Sequence, residues 1–175
     1  VVIDVSNPAS PVILGSVDTP DLATDITVSG MVACMTDEES GLVVIDVSNP
    51  ASPVILGSVD TRGLAWGIAV SGTVAYVAEQ SSGLQVIDVS NPASPAILGS
   101  ADTPGLAWGV ALYGTMAYVA DRDSGLHVLD VSNPASPSGS HPDNSRLTSG
   151  ARKWEYPMPR KPCSVSFGGP EPSSP

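Results

Sequence analysis

Three evenly spaced aspartates, Asp46, Asp88 and Asp130, are the polar residues most firmly embedded in this chain, each within the run Val-Ile-Asp-Val or Val-Leu-Asp-Val. A ring of such carboxylates could line a channel and bind cations. The same carboxylates could instead accept backbone N–H groups from the Ser-Asn-Pro that follows and fix the connection after it. Asp4 holds the same place in a further copy, and a residue present in every copy favours the structural role. Trp66 and Trp108 stand 42 residues apart, each followed by Gly. Exposed, they would stack on a sugar or anchor a protein partner; as core they would fill space between sheets. They are the residues singled out for binding. Asp121-Arg122-Asp123-Ser124-Gly125 places oxygen ligands at alternating positions before Gly, like the start of a calcium loop, but lacks the remaining ligands and a terminal bidentate Glu. Its counterparts, Glu79-Gln80-Ser81-Ser82-Gly83 and Asp37-Glu38-Glu39-Ser40-Gly41, read as polar hairpin turns. Calcium is the one cofactor left open, and no other is expected.

Little else in the repeated region could carry catalysis. It holds a single histidine, His127, and a single cysteine, Cys34, so a Cys–His or zinc site has almost no material. His127 replaces Gln85 and Val43, a strand position that accepts varied residues. Tyr76 and Tyr118 sit inside Ala-Tyr-Val-Ala and read as packing residues. The serines lie in Ser-Asn-Pro and turn contexts without a Gly-x-Ser-x-Gly elbow. There is no Gly-rich loop ending in Lys-Ser or Lys-Thr to cradle phosphate. The chain is expected not to be an enzyme.

The elements that position these residues follow from the period. Residues 1–19 and 43–61 are identical, and Gly30, Gly72 and Gly114 mark a second register at the same 42-residue spacing. A fixed period of this length signals one supersecondary unit stacked on its neighbours. In residues 65–103, AWGIAVSG (65–72) and TVAYVAEQ (73–80) are strand-like runs joined at Ser71-Gly72. Ser81-Ser82-Gly83 turns the chain into LQVIDVS (84–90), and Asn-Pro-Ala-Ser-Pro leads to AILGSAD (96–102). Each unit is thus predicted to be four short antiparallel strands. The runs AYVA, VVIDV and VILGSV are near-continuously apolar, as strands buried on both faces are. Four-stranded sheets covered on both faces by like sheets are the blades of a β-propeller, so the predicted class is all-β. A parallel β-helix and a two-sheet sandwich account less well for the hairpins and the strict period.

The sentence GLxVIDVSNPASPxxLGS…AxxVAVxGxxAYVA resembles the LVIVD repeat of β-propeller proteins associated with bacterial and archaeal cell surfaces. The resemblance covers residues 1–137. It implies a binding or scaffolding propeller without a general catalytic residue set, with AWGIAVSG as the innermost strand and AILGSAD as the outermost. The first copy departs from the pattern: Cys34 stands where Tyr76 and Tyr118 stand, and Thr24 replaces Trp66 and Trp108.

Composition sets the remaining bounds. Apolar residues make up 42% of the 175 and charged residues 14%, enough to bury a core. The net charge is −11, with 15 acids against Arg62 and Arg122 in residues 1–137 and a balance of +2 beyond. An acidic body without a basic stripe argues against nucleic acid. No stretch is apolar for long enough to span a membrane as a helix. The two cysteines give no disulfide framework. Residues 138–175 hold seven prolines, eight serines and four glycines, the composition of a disordered tail. Residues 1–137 supply about three blades, fewer than the 4–8 of closed propellers. The chain therefore reads as a fragment or partial propeller whose open blade faces would self-associate. The expected function is a non-enzymatic module at the cell surface or secreted, binding protein or glycan. The alternatives are a piece of a propeller enzyme whose catalytic residues lie outside this segment, and a structural spacer.

Overall fold

The computed structural model describes residues 1–139; the segment read as a disordered tail lies outside them from residue 140 onward. A two-stranded sheet, β1 (Val2–Asp4) with β2 (Val12–Gly15), comes first. Three four-stranded antiparallel sheets follow, each a meander in chain order. The first is β3 (Ala23–Ser29), β4 (Val32–Asp37), β5 (Leu42–Asp46) and β6 (Val54–Val59). The second is β7 (Ala65–Ser71), β8 (Val74–Glu79), β9 (Gly83–Asp88) and β10 (Ala96–Ala101). The third is β11 (Ala107–Tyr113), β12 (Met116–Asp121), β13 (Gly125–Asp130) and the short β14 (Ser138–Gly139). Ser138 and Gly139, placed in the tail by composition, complete the last sheet by pairing with Asp130 and Leu129.

Stacking explains why the strands carry unbroken apolar runs. Along β8, Ala75 and Val77 pack toward the preceding sheet with Cys34, Leu42 and Val44. Tyr76 and Ala78, on the opposite face, pack toward the following sheet with Ala117, Val119 and Leu129. Because side chains alternate across a strand, a sheet covered on both faces needs apolar residues at every position. Leu84, Val86, Ile87 and Val77 are wholly buried, each contributing about 1.5–3 kcal/mol of burial. The last sheet has no neighbour beyond it among the described residues, and Leu126, the counterpart of buried Leu84, is 65% exposed.

The first strand of each sheet is innermost. β7 lies against β3 on one side and β11 on the other, and a Cβ on Gly67 would come within 2.7 Å of the Gly109 Cα. At the outer rim, a Cβ on Gly57 would lie 2.6 Å from the Pro92 carbonyl oxygen, and Gly15 and Gly99 make the same approach to the next copy. The glycine of Leu-Gly-Ser therefore lets the Asn-Pro-Ala-Ser connection of one unit rest on the rim of the unit before it. No helix among the described residues is long and apolar enough to cross a membrane.

Candidate functional site

The meander puts the start of strand one, the end of strand two and the inter-sheet linker at one end of every sheet, and the glycine turns and Asn-Pro-Ala-Ser connections at the other. Trp66 and Trp108, each the second residue of an innermost strand, belong to the first end. Their rings stack with centroids 4.6 Å apart and planes 8° from parallel. The Arg122 guanidinium carbon lies 5.5 Å from the Trp108 ring centroid, on a 3-10 turn spanning Arg122–Ser124, within cation–π range. Trp108 remains 43% exposed, whereas Trp66 is half-buried and its Nε1 has no hydrogen-bond partner. The two tryptophans thus cover one another, and what remains exposed is the outer part of Trp108 beneath an arginine. An open cleft of about 350 Å³ lies at the same end, lined by Glu39, Asp60, Arg62, Gly63 and Leu64.

In the first copy, polar contacts replace the stack. Thr24 Oγ1 donates to the Ala65 carbonyl at 2.8 Å, and Thr36 Oγ1 donates to the Trp66 carbonyl at 3.0 Å. The two hydroxyls lie 2.9 Å apart. Asp25, where Gly67 and Gly109 stand in later copies, accepts the Ile68 N–H at 3.0 Å.

Asp46, Asp88 and Asp130 end the third strand of each sheet, at the opposite end from the tryptophans. Third from the inside, they do not line the inner strands as a channel ring would. Each accepts the N–H of the serine two residues on, Ser48 and Ser90 at 2.8 Å and Ser132 at 2.9 Å. Asp4 does the same with Ser6. Hydrogen bonds from these serines hold the carboxyls of Asp46, Asp88 and Asp130 below the ordinary aspartate value. Asn49, Asn91 and Asn133 then cap the next turn, accepting from Ala51, Ala93 and Ala135.

A second row of carboxylates was not singled out by sequence. In sequence Asp37 and Glu79 open polar turns and Asp121 opens the calcium-like run, yet all three close the second strand and are fully buried. Asp37 accepts the Thr19 hydroxyl at 2.7 Å and the Asp21 N–H at 2.9 Å. Asp121 accepts the Thr103 hydroxyl at 3.1 Å and the Gly105 N–H at 2.9 Å. Each carboxylate thereby fastens the linker that enters its own sheet. The carboxylate that would open a calcium loop, Asp121, is turned inward on these donors. His127 Nε2 approaches it at 3.2 Å, at an angle short of a hydrogen bond.

Glu79 departs from this arrangement. Neither of its oxygens finds a partner with hydrogen-bond geometry, nor does Thr61 Oγ1. Burial raises its pKa; the proximity of Thr61, Gln85 and Ser82 offsets part of the rise, and the charge of Asp60 adds to it. The linker it should fasten contains Arg62, in the left-handed region at φ 68°, where the flanking copies have Pro20 and Pro104. The detectable signal was the Asp/Glu ending each Ala-x-x-Ala-like strand at the full period, paired with the Thr of Thr19, Thr61 and Thr103. Cys34 is buried and free, and burial raises its thiol pKa. No group of three or more His, Cys, Asp or Glu converges as a metal site would among the described residues.

Radially stacked four-stranded meanders, with the first strand innermost, define β-propeller blades. The LVIVD repeat matches residues 1–19, 22–61, 62–103 and 104–140. The chain belongs to the LVIVD repeat family. Among solved structures, it is similar to the computationally designed Ika4 protein, with a TM-score of 0.53 and 11% identity, over 62% of this chain and 66% of that one. The computationally designed Ika8 protein is similar at a TM-score of 0.54 and 10% identity, over 64% of this chain and 34% of that one. These likenesses concern the fold alone. No curated protein matches the chain.

Proposed function

We propose that this propeller segment is a non-enzymatic binding or scaffold module, secreted or held at the cell surface, that takes a protein partner at its tryptophan end. One observation carries the reading: Trp108 is 43% exposed while its ring is held flat by Trp66 and overlain by Arg122. Tryptophan and arginine dominate the energetics of protein interfaces, and a ring already fixed by stacking loses little freedom on binding. Protein is favoured over glycan because sugar stacking needs an open aromatic face. Here Trp66 takes one face of Trp108 and Arg122 stands over the ring. The extracellular setting is supported by the resemblance to surface-associated LVIVD proteins.

The test is binding of the full chain to panels of immobilised extracellular proteins and of glycans, repeated with Trp108→Ala and Arg122→Ala. A protein ligand whose affinity falls at least tenfold in either variant, with circular dichroism unchanged, is the expected result. Ligands that bind both variants equally would refute the site. Capture of glycans alone would replace protein by sugar.

A further inference from the structure

Glu79 is aimed at the linker that joins the first four-stranded sheet to the second, for a Cβ on Gly63 would run into its carboxylate. Both carboxylate oxygens and Thr61 Oγ1 are buried without a hydrogen-bond partner, which is costly for groups withdrawn from water. Two further oxygen-bearing side chains stand beside them. Gln85 faces Val77 across the ladder and so lies on the same side of the sheet as Glu79. The Ser82 N–H donates to the Glu79 carbonyl at 3.3 Å. Exposed Asp60 is close enough for its charge to bear on Glu79. The flanking units leave no such orphans, because Asp37 and Asp121 reach a threonine hydroxyl and a linker N–H directly. In the second unit the carboxylate is one methylene longer and the linker turns at Arg62, φ 68°. The same linker lines the open cleft of about 350 Å³ together with Glu39. Glu39, Asp60 and Glu79 against Arg62 leave a net charge of −2. Every residue of this place lies between 39 and 85, so neither end of the sequence shapes it.

We propose that Glu79, Thr61 and Asp60 hold a calcium ion under this linker, with Ser82, Gln85 and water from the cleft completing its shell. Carboxylate, hydroxyl and amide oxygens are the hard ligands calcium takes, in sets of about six to eight and in flexible geometry. Magnesium demands a near-ideal octahedron of short bonds, which donors drawn from a linker and a separate turn do not supply. A divalent ion matches the charge of −2, gives the orphan oxygens a partner, and ties Thr61 to Glu79 as direct hydrogen bonds tie Thr19 to Asp37 and Thr103 to Asp121. Only two of these ligands are acidic, fewer than the three His, Cys, Asp or Glu that no place among the described residues brings together. The site is distinct from the calcium-like run at Asp121, whose carboxylate is taken up by Thr103 and Gly105.

The test is calcium chloride titrated by isothermal calorimetry into the full chain freed of metal with EDTA, with melting temperature followed in parallel. One ion per chain is expected, with a dissociation constant of about 0.1–1 mM, as in extracellular calcium modules. At about tenfold excess over that constant the melting temperature should rise by about 3–6 °C. Glu79→Gln should abolish both effects, and Thr61→Val should weaken binding at least fivefold. Glu79→Gln keeps the side chain's shape and should be the more stable chain in EDTA, so its lost calcium response is not a lost fold, as circular dichroism checks. Asp123→Asn, in the calcium-like run, should bind as wild type does. A chain indifferent to calcium overturns the proposal and leaves water or a proton to satisfy Glu79. Binding that survives Glu79→Gln, or that fails in Asp123→Asn, overturns it by placing the ion elsewhere. An equal response to magnesium overturns the assignment to calcium.

Discussion

Glutamate 79 should weaken the protein it is buried in, and Glu79→Gln should therefore stabilise it. The side chain is wholly inaccessible and neither carboxylate oxygen meets a hydrogen-bond donor in good geometry. In the flanking units the equivalent carboxylates of Asp37 and Asp121 each accept a threonine hydroxyl and a backbone N–H. A buried polar group left without partners costs about 1–3 kcal/mol, and more when charged. An amide of nearly the same shape removes the charge and its repulsion from Asp60. The expected gain is about 1–3 kcal/mol at neutral pH, or about 3–9 °C in melting temperature for a domain of this size. The pH dependence has a definite sign. The folded pKa of Glu79 lies above the ordinary value of 4.5, so the native state binds a proton that the unfolded chain has released. Its contribution is fully present below 4.5 and is lost as pH rises through the raised folded value. The advantage of Glu79→Gln should accordingly be small at pH 4 and full at pH 7.5. Urea unfolding followed by tryptophan fluorescence at both values measures it. A variant less stable than wild type at pH 7.5, or a gain equal at both pH values, would refute the reasoning.

Arg62→Pro copies the residue of both flanking units, so consensus alone predicts stabilisation. The structure predicts a loss of about 2–3 kcal/mol, because proline cannot adopt φ 68° and would remove the N–H that Arg62 gives to Asp60 Oδ1 at 2.6 Å; a rise in urea midpoint would contradict this. Gly57→Ala should cost about 1–3 kcal/mol by thermal unfolding, since its Cβ meets the Pro92 and Ala93 backbone and no flexible side chain can give way. An Ala variant as stable as wild type would mean that the Asn-Pro-Ala-Ser connection moves freely on the rim.

The meander was legible in the sequence because β-branched runs, Ser-Gly turns and the exact period all point the same way. AWGIAVSG, read as residues 65–72, is β7 over Ala65–Ser71, and TVAYVAEQ is β8 over Val74–Glu79. The double-sided burial of the second and third strands showed in their lack of polar alternation, but the same reading fails for VILGSV: this outermost strand alternates between exposed and half-buried residues, because at the rim the next sheet no longer covers it. The inner carboxylates were not legible. Asp37, Glu79 and Asp121 each lead into a run of polar turn residues, and only the stacking of sheets decides that the first residue of that run faces inward. The tryptophan stack was half legible: spacing placed both rings at one repeat position, but whether they face solvent or each other depends on how closely innermost strands approach. That distance is set by Gly67 against Gly109, contact partners 42 residues apart.

The departures from the repeat come in coupled sets rather than singly. Where Trp66 and Trp108 are paired with Ala78 and Ala120, the first unit has Thr24 with Thr36, trading a large and a small residue for two hydroxyls that reach the next sheet's carbonyls. Gly67 and Gly109 become Asp25 in the same unit, and its carboxylate takes up the Ile68 N–H. In the second unit Glu79 accompanies Arg62, and the linker changes conformation as the carboxylate lengthens. A substitution answered by another at a contacting position preserves packing and argues for structure; one that no neighbour answers is where selection for a partner would show. By that criterion the polar variations of the first two units belong to the scaffold. Arg122 stands apart. Its counterparts Glu38 and Gln80 give their carbonyls to Ala65 and Ala107 of the next sheet, while Arg122 lays a cation over an exposed tryptophan without any matching change within its sheet. The Arg122–Trp108 pair is thus the departure from the repeat to test first for a partner.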